Sequence, residues 1–224
     1  MGLEITSNPV REIKIVIDGK ETSCPEGLTI LEAAARVGIE IPTLCYSPDF
    51  SSTGVCRVCV VEVEGARTLV GACHTPVAAG MVIRTRTPRV LDARRVAVEL
   101  LQAAHDAVCV IDPDCQQCVL HKLCSDFQIQ PVGFRVRQRR HYPVEEINPY
   151  IHRDLSKCIL CRRCVQACNE IAGKHIFAIG YRGFNSKVVV DGDVELDKEV
   201  CRGCGICIDY CPTNALRRPQ EAHL

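Results

Sequence analysis

The sequence has no tryptophan and only 4% aromatic residues among its 224 positions. Large aromatic side chains therefore contribute little to any hydrophobic core. No stretch approaches the roughly 18 consecutive apolar residues of a membrane-spanning helix, so we expect no direct membrane insertion. Because 27 basic residues balance 27 acidic ones, the global basic field of a nucleic-acid-binding protein is also excluded.

The usual signatures of a catalytic site are missing as well. No glycine-rich dinucleotide fingerprint follows a strand, no phosphate-binding P-loop is present, and no histidine-carboxylate constellation stands out. We therefore assign no catalytic residue to this chain. The N-terminus lacks the basic, apolar and small-residue regions of a secretory signal, so we expect a cytoplasmic protein in a reducing compartment.

Cysteine, in contrast, is abundant, with 17 residues. Two runs share the spacing Cys-x2-Cys-x2-Cys-x3-Cys, at 158–168 and 201–211, and Pro212 closes the second. Two intervening residues let a tight loop aim successive thiolates at one small inorganic cube. Gly203 and Gly205 are expected to relieve crowding in the second loop. The spacing is that of bacterial ferredoxins and indicates electron transfer.

In such double runs, three thiolates hold one cube and the fourth reaches the cube of the other run. The predicted ligands of one 4Fe-4S cluster are Cys158, Cys161, Cys164 and Cys211. Those of its neighbour are Cys168, Cys201, Cys204 and Cys207. Zinc is the weaker alternative, because zinc sites use two pairs of ligands rather than a third cysteine at x2 and a fourth at x3. Strands are predicted at 174–180 and 187–196, with Asp191-Gly192 as a hairpin turn.

The first 87 residues alternate in a strand-helix-strand pattern. We expect a strand at Ile13–Ile17 with a turn at Asp18-Gly19, a helix capped by Thr29, a hairpin at 60–69 turning at Glu64-Gly65, and a closing strand at 81–87. Within this frame lie Cys45, Cys56, Cys59 and Cys73, which we assign to a 2Fe-2S cluster, much as in plant-type ferredoxins with altered spacing. Cys24 lies outside the pattern and is expected to be a small buried apolar residue. His74 is a candidate to tune this cluster by hydrogen bonding.

A helix is predicted from Thr87-Pro88 to near His105, followed by further cysteines. The order of the 2Fe-2S module, Glu99-Leu100-Leu101-x3-His105, Cys115-x2-Cys118-x5-Cys124, Asp154-Leu155-x-Lys157-Cys158 and the double run resembles the N-terminal part of the large iron-sulfur subunit of respiratory complex I. It is equally similar to the iron-sulfur diaphorase subunit of NAD(P)-linked hydrogenases, including electron-bifurcating ones, and to regions of iron-only hydrogenases and NAD-dependent formate dehydrogenases.

This family carries a third 4Fe-4S cluster with ligands His-x3-Cys-x2-Cys-x5-Cys. Cys115, Cys118 and Cys124 match its last three ligands, but Ile111 stands four residues before Cys115. His105 keeps the family position at the end of the helix, whereas Cys109 offers the thiolate that an iron-sulfur cluster prefers. We favour His105 slightly and leave the choice open.

The resemblance implies an α+β chain of three domains. These are a β-grasp 2Fe-2S ferredoxin-like domain at 10–87, a small helical and loop 4Fe-4S domain with a linker at 88–150, and a double-cluster bacterial ferredoxin-like domain at 151–218. Together they would hold one 2Fe-2S and three 4Fe-4S clusters.

The function that the resemblance implies is a single-electron relay within an oxidoreductase complex. The expected partners are a flavin-containing subunit that reacts with NAD(P)H, a hydrogenase or formate dehydrogenase catalytic subunit, and ferredoxin. Because the sequence ends at Leu224, we expect the short diaphorase-type subunit. The alternatives are a stand-alone multi-cluster ferredoxin-like carrier and a subunit of the peripheral arm of complex I.

Overall fold

The computed structural model describes residues 11–105, 118–129, 149–193 and 198–219. The chain divides into two compact units that do not follow sequence order. One contains residues up to Thr43 together with Cys59–Ala93, and the other contains Leu44–Val58 and the chain from Arg94 onward. Both helices and sheets are present, as the predicted α+β class requires.

The first unit is built on a five-stranded sheet. Its strands are β1 (Glu12–Ile17), β2 (Lys20–Pro25), β3 (Val60–Val63), β4 (Val70–Gly71) and β5 (Val82–Arg84), in the order β2-β1-β5-β3-β4. Only β1 and β5 pair in parallel among these neighbours. The predicted alternation of β1 is confirmed, because its three isoleucines are buried and Lys14 is exposed. Cys24 on β2 is buried too.

Helix α1 (Ile30–Arg36) begins where the sequence predicts. The Thr29 side chain accepts a hydrogen bond from the Glu32 backbone N–H, and the Glu32 carboxylate accepts one from the Thr29 backbone N–H at 2.7 Å. This capping box satisfies two amides that the helix itself leaves unpaired. The inner face of α1, including Ile30 and Leu31, is buried.

The second hairpin differs from its prediction. The chain turns at Glu64-Gly65, but the return strand is Val70–Gly71 rather than the residues before it. Val60 pairs with Gly71, so the connection is longer than a tight hairpin. The closing strand β5 is likewise shorter than predicted.

Helix α2 (Pro88–Ala104) and helix α3 (Val119–Asp126) precede the C-terminal residues 151–219, here called the ferredoxin-like part. The Thr87 hydroxyl accepts from the Val90 N–H at 3.3 Å, which confirms the predicted cap. His105 follows the end of α2 directly. The α3 amide of Val119 donates to the Pro212 carbonyl at 2.8 Å and ties this helix to the end of the second cysteine run.

The ferredoxin-like part consists of short elements. They are β6 (His152–Arg153), α4 (Arg163–Gln166), a π-helical turn (Ala167–Ile171), β7 (Phe177–Gly180), β8 (Lys187–Val190), α5 (Lys198–Cys201), α6 (Ile206–Asp209) and β9 (Leu216–Arg217). β6 pairs with β9, and β7 pairs with β8, both antiparallel. Residues 181–186 connect β7 to β8. A turn at Asp191-Gly192 follows β8, and Asp193 N–H donates to the Val190 carbonyl at 2.8 Å across it. Residues 194–196, which the predicted hairpin needs for its second strand, lie outside the described residues.

Candidate metal centres

The first group of thiols surrounds a cavity in the ferredoxin-like part. The cavity is lined by Cys158, Cys161, Cys164 and Cys211, and the rest of its wall is mainly apolar and includes Leu155, Ile159 and Leu216. Cys161 and Cys164 are buried. The Cys164 thiol interacts electrostatically with the other three thiols of this group and with Cys207. The structure therefore places together the four side chains that the cysteine spacing predicts as ligands of one cluster.

These thiols occupy an environment that disfavours a lone thiolate. Burial, followed by the neighbouring thiols, raises the pKa of Cys164 well above its usual value, and burial raises the pKa of Cys161 to about 12. Backbone amides point at the sulfur atoms, as where Leu160 N–H donates to Cys158 Sγ at 3.4 Å. A cationic iron core would remove the cost of ionising such thiols, so the donor set fits an iron-sulfur cluster.

A second group forms around Cys207. Burial raises the pKa of this thiol to about 12, and the next contributions come from Cys168, Cys204 and Cys201 in that order. Cys168 and Cys201 are buried, whereas Cys204 is exposed. This group again matches the set predicted by exchange of the fourth cysteine between runs.

No three His, Cys, Asp or Glu side chains in the described ranges surround a point that could hold a single metal ion. Each thiolate of a cubane binds a different iron atom, so its ligands lie farther apart than those of one ion. None of the 15 cysteines in the described ranges forms a disulfide bond.

Three of the five candidate ligands of the predicted middle site are described. Cys118 and Cys124 are buried beside an apolar cluster, and burial raises the pKa of Cys124 to about 11. His105 is buried too, with 5% of its surface exposed. Cys109 and Cys115 lie outside the described residues. The choice between His105 and Cys109 therefore stays a prediction.

The predicted 2Fe-2S ligands form two local pairs, one in each unit. Cys45 and Cys56 are hydrogen-bonded to each other through their thiols, and this bond, followed by burial, raises the pKa of Cys56. Cys59 and Cys73 lie at one end of the β3–β4 hairpin, where Ala72 N–H donates to the Cys59 carbonyl at 3.1 Å. Both members of each pair are buried.

The segment Leu44–Val58, which carries Cys45 and Cys56, is fastened to the ferredoxin-like part by contacts that sequence reasoning missed. Tyr210 donates to the Asp49 carboxylate at 2.8 Å, and its ring meets that of Phe50 edge-on at 5.1 Å between centroids. The Ser51 N–H donates to Glu170 at 2.8 Å. We call these residues (Asp49, Phe50, Ser51, Glu170 and Tyr210) the loop clasp. No local sequence pattern predicts these contacts.

The loop clasp attaches next to predicted ligands. Tyr210 precedes Cys211, and Glu170 lies two residues after Cys168. Leu44, Cys45 and Cys56 also belong to one buried apolar cluster with Cys118, Cys124, Ile159 and Cys161. Thiols from three predicted sites thus share a single core within this unit.

Two family models match this chain. Residues 10–88 match the 2Fe-2S iron-sulfur cluster binding domain, and residues 148–217 match the ferredoxin-like domain of NADH-quinone oxidoreductase subunit 3. The chain is 42% identical over 209 residues to the NADP-reducing hydrogenase subunit HndD of Solidesulfovibrio fructosivorans, covering 91% of this chain and 36% of that protein. It is 35% identical to a subunit of the NADH-quinone oxidoreductase of Rhizobium meliloti (strain 1021), covering 91% of this chain and 24% of that one.

A solved structure, that of an NAD+-reducing [NiFe]-hydrogenase in the H2-reduced state, superimposes with a TM-score of 0.79 at 27% identity. The match covers 92% of this chain and 87% of that chain. The chain is a homologue of iron-sulfur subunits of NAD(P)-linked hydrogenases and of complex I. It spans about a third and about a quarter, respectively, of the two curated relatives named above. Within the described ranges, no helix combines the length and apolar character that a membrane crossing requires.

Proposed function

We propose that this homologue is an electron-transfer subunit of an oxidoreductase complex. It relays single electrons between a flavin-containing subunit that reacts with NAD(P)H and a catalytic partner, a hydrogenase or a formate dehydrogenase, with ferredoxin as a further partner. The observation that carries the proposal is the apolar cavity lined by Cys158, Cys161, Cys164 and Cys211. When bound, iron-sulfur clusters accept and pass on one electron at a time.

In this proposal the chain supplies four ligand sets for one 2Fe-2S and three 4Fe-4S clusters. They are Cys45, Cys56, Cys59 and Cys73; His105 or Cys109 with Cys115, Cys118 and Cys124; Cys158, Cys161, Cys164 and Cys211; and Cys168, Cys201, Cys204 and Cys207. The electrostatic neighbours of Cys164 and Cys207 support the last two sets. The family match over residues 10–88 supports the first.

The same proposal assigns the three domains to 10–87, 88–150 and 151–218. The protein's own residues gather the thiols of each set, exclude water with an apolar core and direct backbone N–H groups at sulfur. Cysteine thiols need a reducing compartment to stay free, so we place the protein in the cytoplasm.

Anaerobic purification of the native complex tests this function. We expect about 14 iron atoms per chain, one binuclear and three cubane EPR signals, and co-elution with a flavoprotein. A brown monomer that exchanges electrons freely would instead indicate a stand-alone carrier. A colourless or zinc-bound protein would contradict the cluster assignment itself.

A matched pair of ligand variants sharpens this test. Cys161→Ala removes a predicted ligand, and Cys24→Ala removes a buried thiol that lies outside every predicted set. We expect Cys161→Ala to lose one cubane EPR signal. Cys24→Ala should keep all four cluster signals, one binuclear and three cubane.

A further inference from the structure

A histidine lies against one of the predicted 2Fe-2S ligands. The Nδ1 atom of His74 is 3.5 Å from Cys73 Sγ, within hydrogen-bonding range for sulfur. His74 is exposed as a residue, but this contact is partly shielded from solvent. The imidazole therefore bridges solvent and a buried thiol.

The turn that presents His74 is firmly held. The Gly71 carbonyl accepts from the His74 N–H at 3.4 Å, from the Thr75 N–H at 3.2 Å and from the Thr75 hydroxyl at 2.8 Å. Helix α1 rests on the same turn, because Ile30 N–H donates to the Thr75 carbonyl at 2.9 Å and Leu31 N–H donates to the Ala72 carbonyl at 3.0 Å. The position of His74 is thus fixed by backbone contacts on both sides.

Gly71 makes room for the imidazole. A methyl group added at Gly71 would lie 2.9 Å from His74 Nδ1 and closer still to its Cε1 atom. Since the ring is the end of a movable side chain, such a methyl group would push it aside with little change to the backbone. The position of the His74 ring therefore depends on the absence of a side chain at Gly71.

The chemistry of the contact fixes its direction. A cysteine that holds iron is a thiolate and can only accept a hydrogen bond, so Nδ1 must carry the proton. A hydrogen bond to a ligand sulfur stabilises added negative charge, and reduction adds one electron to the cluster. The bond is accordingly stronger in the reduced state.

We propose that His74 raises the midpoint potential of the 2Fe-2S cluster by donating an Nδ1–H hydrogen bond to Cys73 Sγ, and that Gly71 lets the imidazole reach it. His74 is a positioning and tuning residue, not a catalytic one. The proposal rests on the proposed function, because it assumes that Cys73 ligates the binuclear cluster.

The test is a redox titration of the purified, cluster-loaded protein at fixed pH, followed by the EPR signal of the binuclear cluster. His74→Leu removes the donor, Gly71→Ala displaces the ring while keeping the histidine, and His74→Asn keeps an N–H donor in a similar place. The cubane signals of the same samples serve as an internal control.

We expect a lower binuclear midpoint potential in His74→Leu and in Gly71→Ala. The equilibrium constant for reduction should fall by up to about tenfold, equivalent to about 59 mV for one electron. His74→Asn should stay near the wild type, and the cubane potentials should not move. An unchanged potential in either His74→Leu or Gly71→Ala overturns the inference, and so does an Asn variant that falls as far as Leu. A wild-type protein with no binuclear signal contradicts the proposed function instead.

Discussion

The two cysteine runs have the same spacing and share two left-handed backbone positions, but they do not have the same side chains, and the second run has a further left-handed residue, Arg202 (φ 47°). Leu160 (φ 56°) corresponds to Gly203 (φ 60°), and Arg162 (φ 66°) corresponds to Gly205 (φ 78°). Both loops thus use the left-handed region at the same two positions. The first run does so with residues that bear a Cβ, at a cost of roughly 1–2 kcal/mol each.

The comparison shows that the ligand spacing, not glycine, sets the loop conformation. In the second run, side chains from outside the loop pack against the two glycines. A Cβ at Gly203 would lie 2.6 Å from Cδ1 of the Tyr150 ring, and one at Gly205 would lie 2.9 Å from the Arg218 guanidinium. Sequence analysis predicted that these glycines relieve crowding within the cysteine loop. In the structure the crowding would instead come from the side chains of Tyr150 and Arg218.

The runs also differ in exposure. Cys161 and Cys164 of the first run are buried, whereas Cys204 of the second, which corresponds to Cys161, is exposed. In addition, only the first run leads directly into the π-helical turn and the β7–β8 hairpin. Phe177, Val188 and Val190 of this hairpin pack in one core with thiols of both runs, Cys164, Cys168, Cys201 and Cys207. Cys204 is the most exposed of the eight predicted ligands of these two clusters, whereas the partly exposed ligands of the other cluster, Cys158 and Cys211, are half-buried.

The largest effect should come from substituting a buried ligand of one run and the exposed ligand of the other. We expect Cys164→Ser to lose about four iron atoms and to melt at a lower temperature, because the thiol lies inside an apolar cluster. Cys204→Ser, at an exposed position, should keep part of its cluster with oxygen as the replacement ligand. Iron analysis and EPR of the two anaerobic variants decide this, and equal iron loss with equal melting would abolish the distinction.

A second experiment leaves the sequence unchanged. On exposure to air and an iron chelator, the EPR signal of the cluster assigned to Cys168, Cys201, Cys204 and Cys207 should decay several-fold faster than that of its neighbour, because oxidation follows solvent access. Chelator without oxygen is the control. Decay of both signals at one rate would contradict the assigned difference in exposure.

The backbone comparison can be tested at matched positions. Gly203→Ala should lower the free energy of unfolding by about 1–3 kcal/mol, since it adds left-handed strain and overlaps the Tyr150 ring. Gly205→Ala should cost about 1 kcal/mol, because the exposed Arg218 side chain can move away.

The reverse change, Arg162→Gly in the first run, should stabilise by about 0.5–1 kcal/mol, because it removes strain at an exposed position. Thermal unfolding of the cluster-loaded variants measures all three. An Arg162→Gly protein less stable than the wild type would show that the arginine side chain has a role there beyond its backbone.

The loop clasp sharpens the comparison further, because the position before the fourth cysteine is Tyr210 in the second run and Ala167 in the first. We expect Tyr210→Phe, which loses the bond to Asp49 but keeps the ring contact with Phe50, to speed hydrogen exchange in the 46–51 segment. Tyr210→Ala should speed it more. Exchange rates near β7 provide the control, and an unchanged 46–51 segment in Tyr210→Ala would mean that the clasp does not hold the loop.

Sequence reasoning succeeded where the signal was local. Alternation predicted β1, and Thr29 with Glu32 formed the capping box. Cys158, Cys161, Cys164 and Cys211 line one cavity, and their ligation of a cluster stays a prediction. It failed where the contact was distant or the local signal was weak. The clasp joins residues 119 and 161 positions apart. The connection of β7 to β8 at 181–186 contains only one glycine, Gly183, and no two-residue turn signal marks it.

The smallest expected effect concerns the hairpin that only the first run carries. Lys187 lies 2.8 Å from the Asp193 carboxylate, and the Tyr181 hydroxyl donates to the same carboxylate at 2.6 Å. The bond from Lys187, followed by that from Tyr181, lowers the pKa of Asp193. A lowered pKa stabilises the fold at pH above the ordinary aspartate value of about 3.9, and this contribution is lost as pH falls through the lower folded value.

Asp193→Asn should therefore destabilise the protein by less than about 1 kcal/mol, as expected for a partly exposed pair. The difference in thermal stability from the wild type should stay constant from about pH 5 to 8 and shrink only below about pH 4. Lys187→Met is the matched control, because it removes the partner and should lower stability in the same pH range. A difference that already shrinks near pH 6 would mean that the Asp193 carboxylate titrates higher than its contacts with Lys187 and Tyr181 allow.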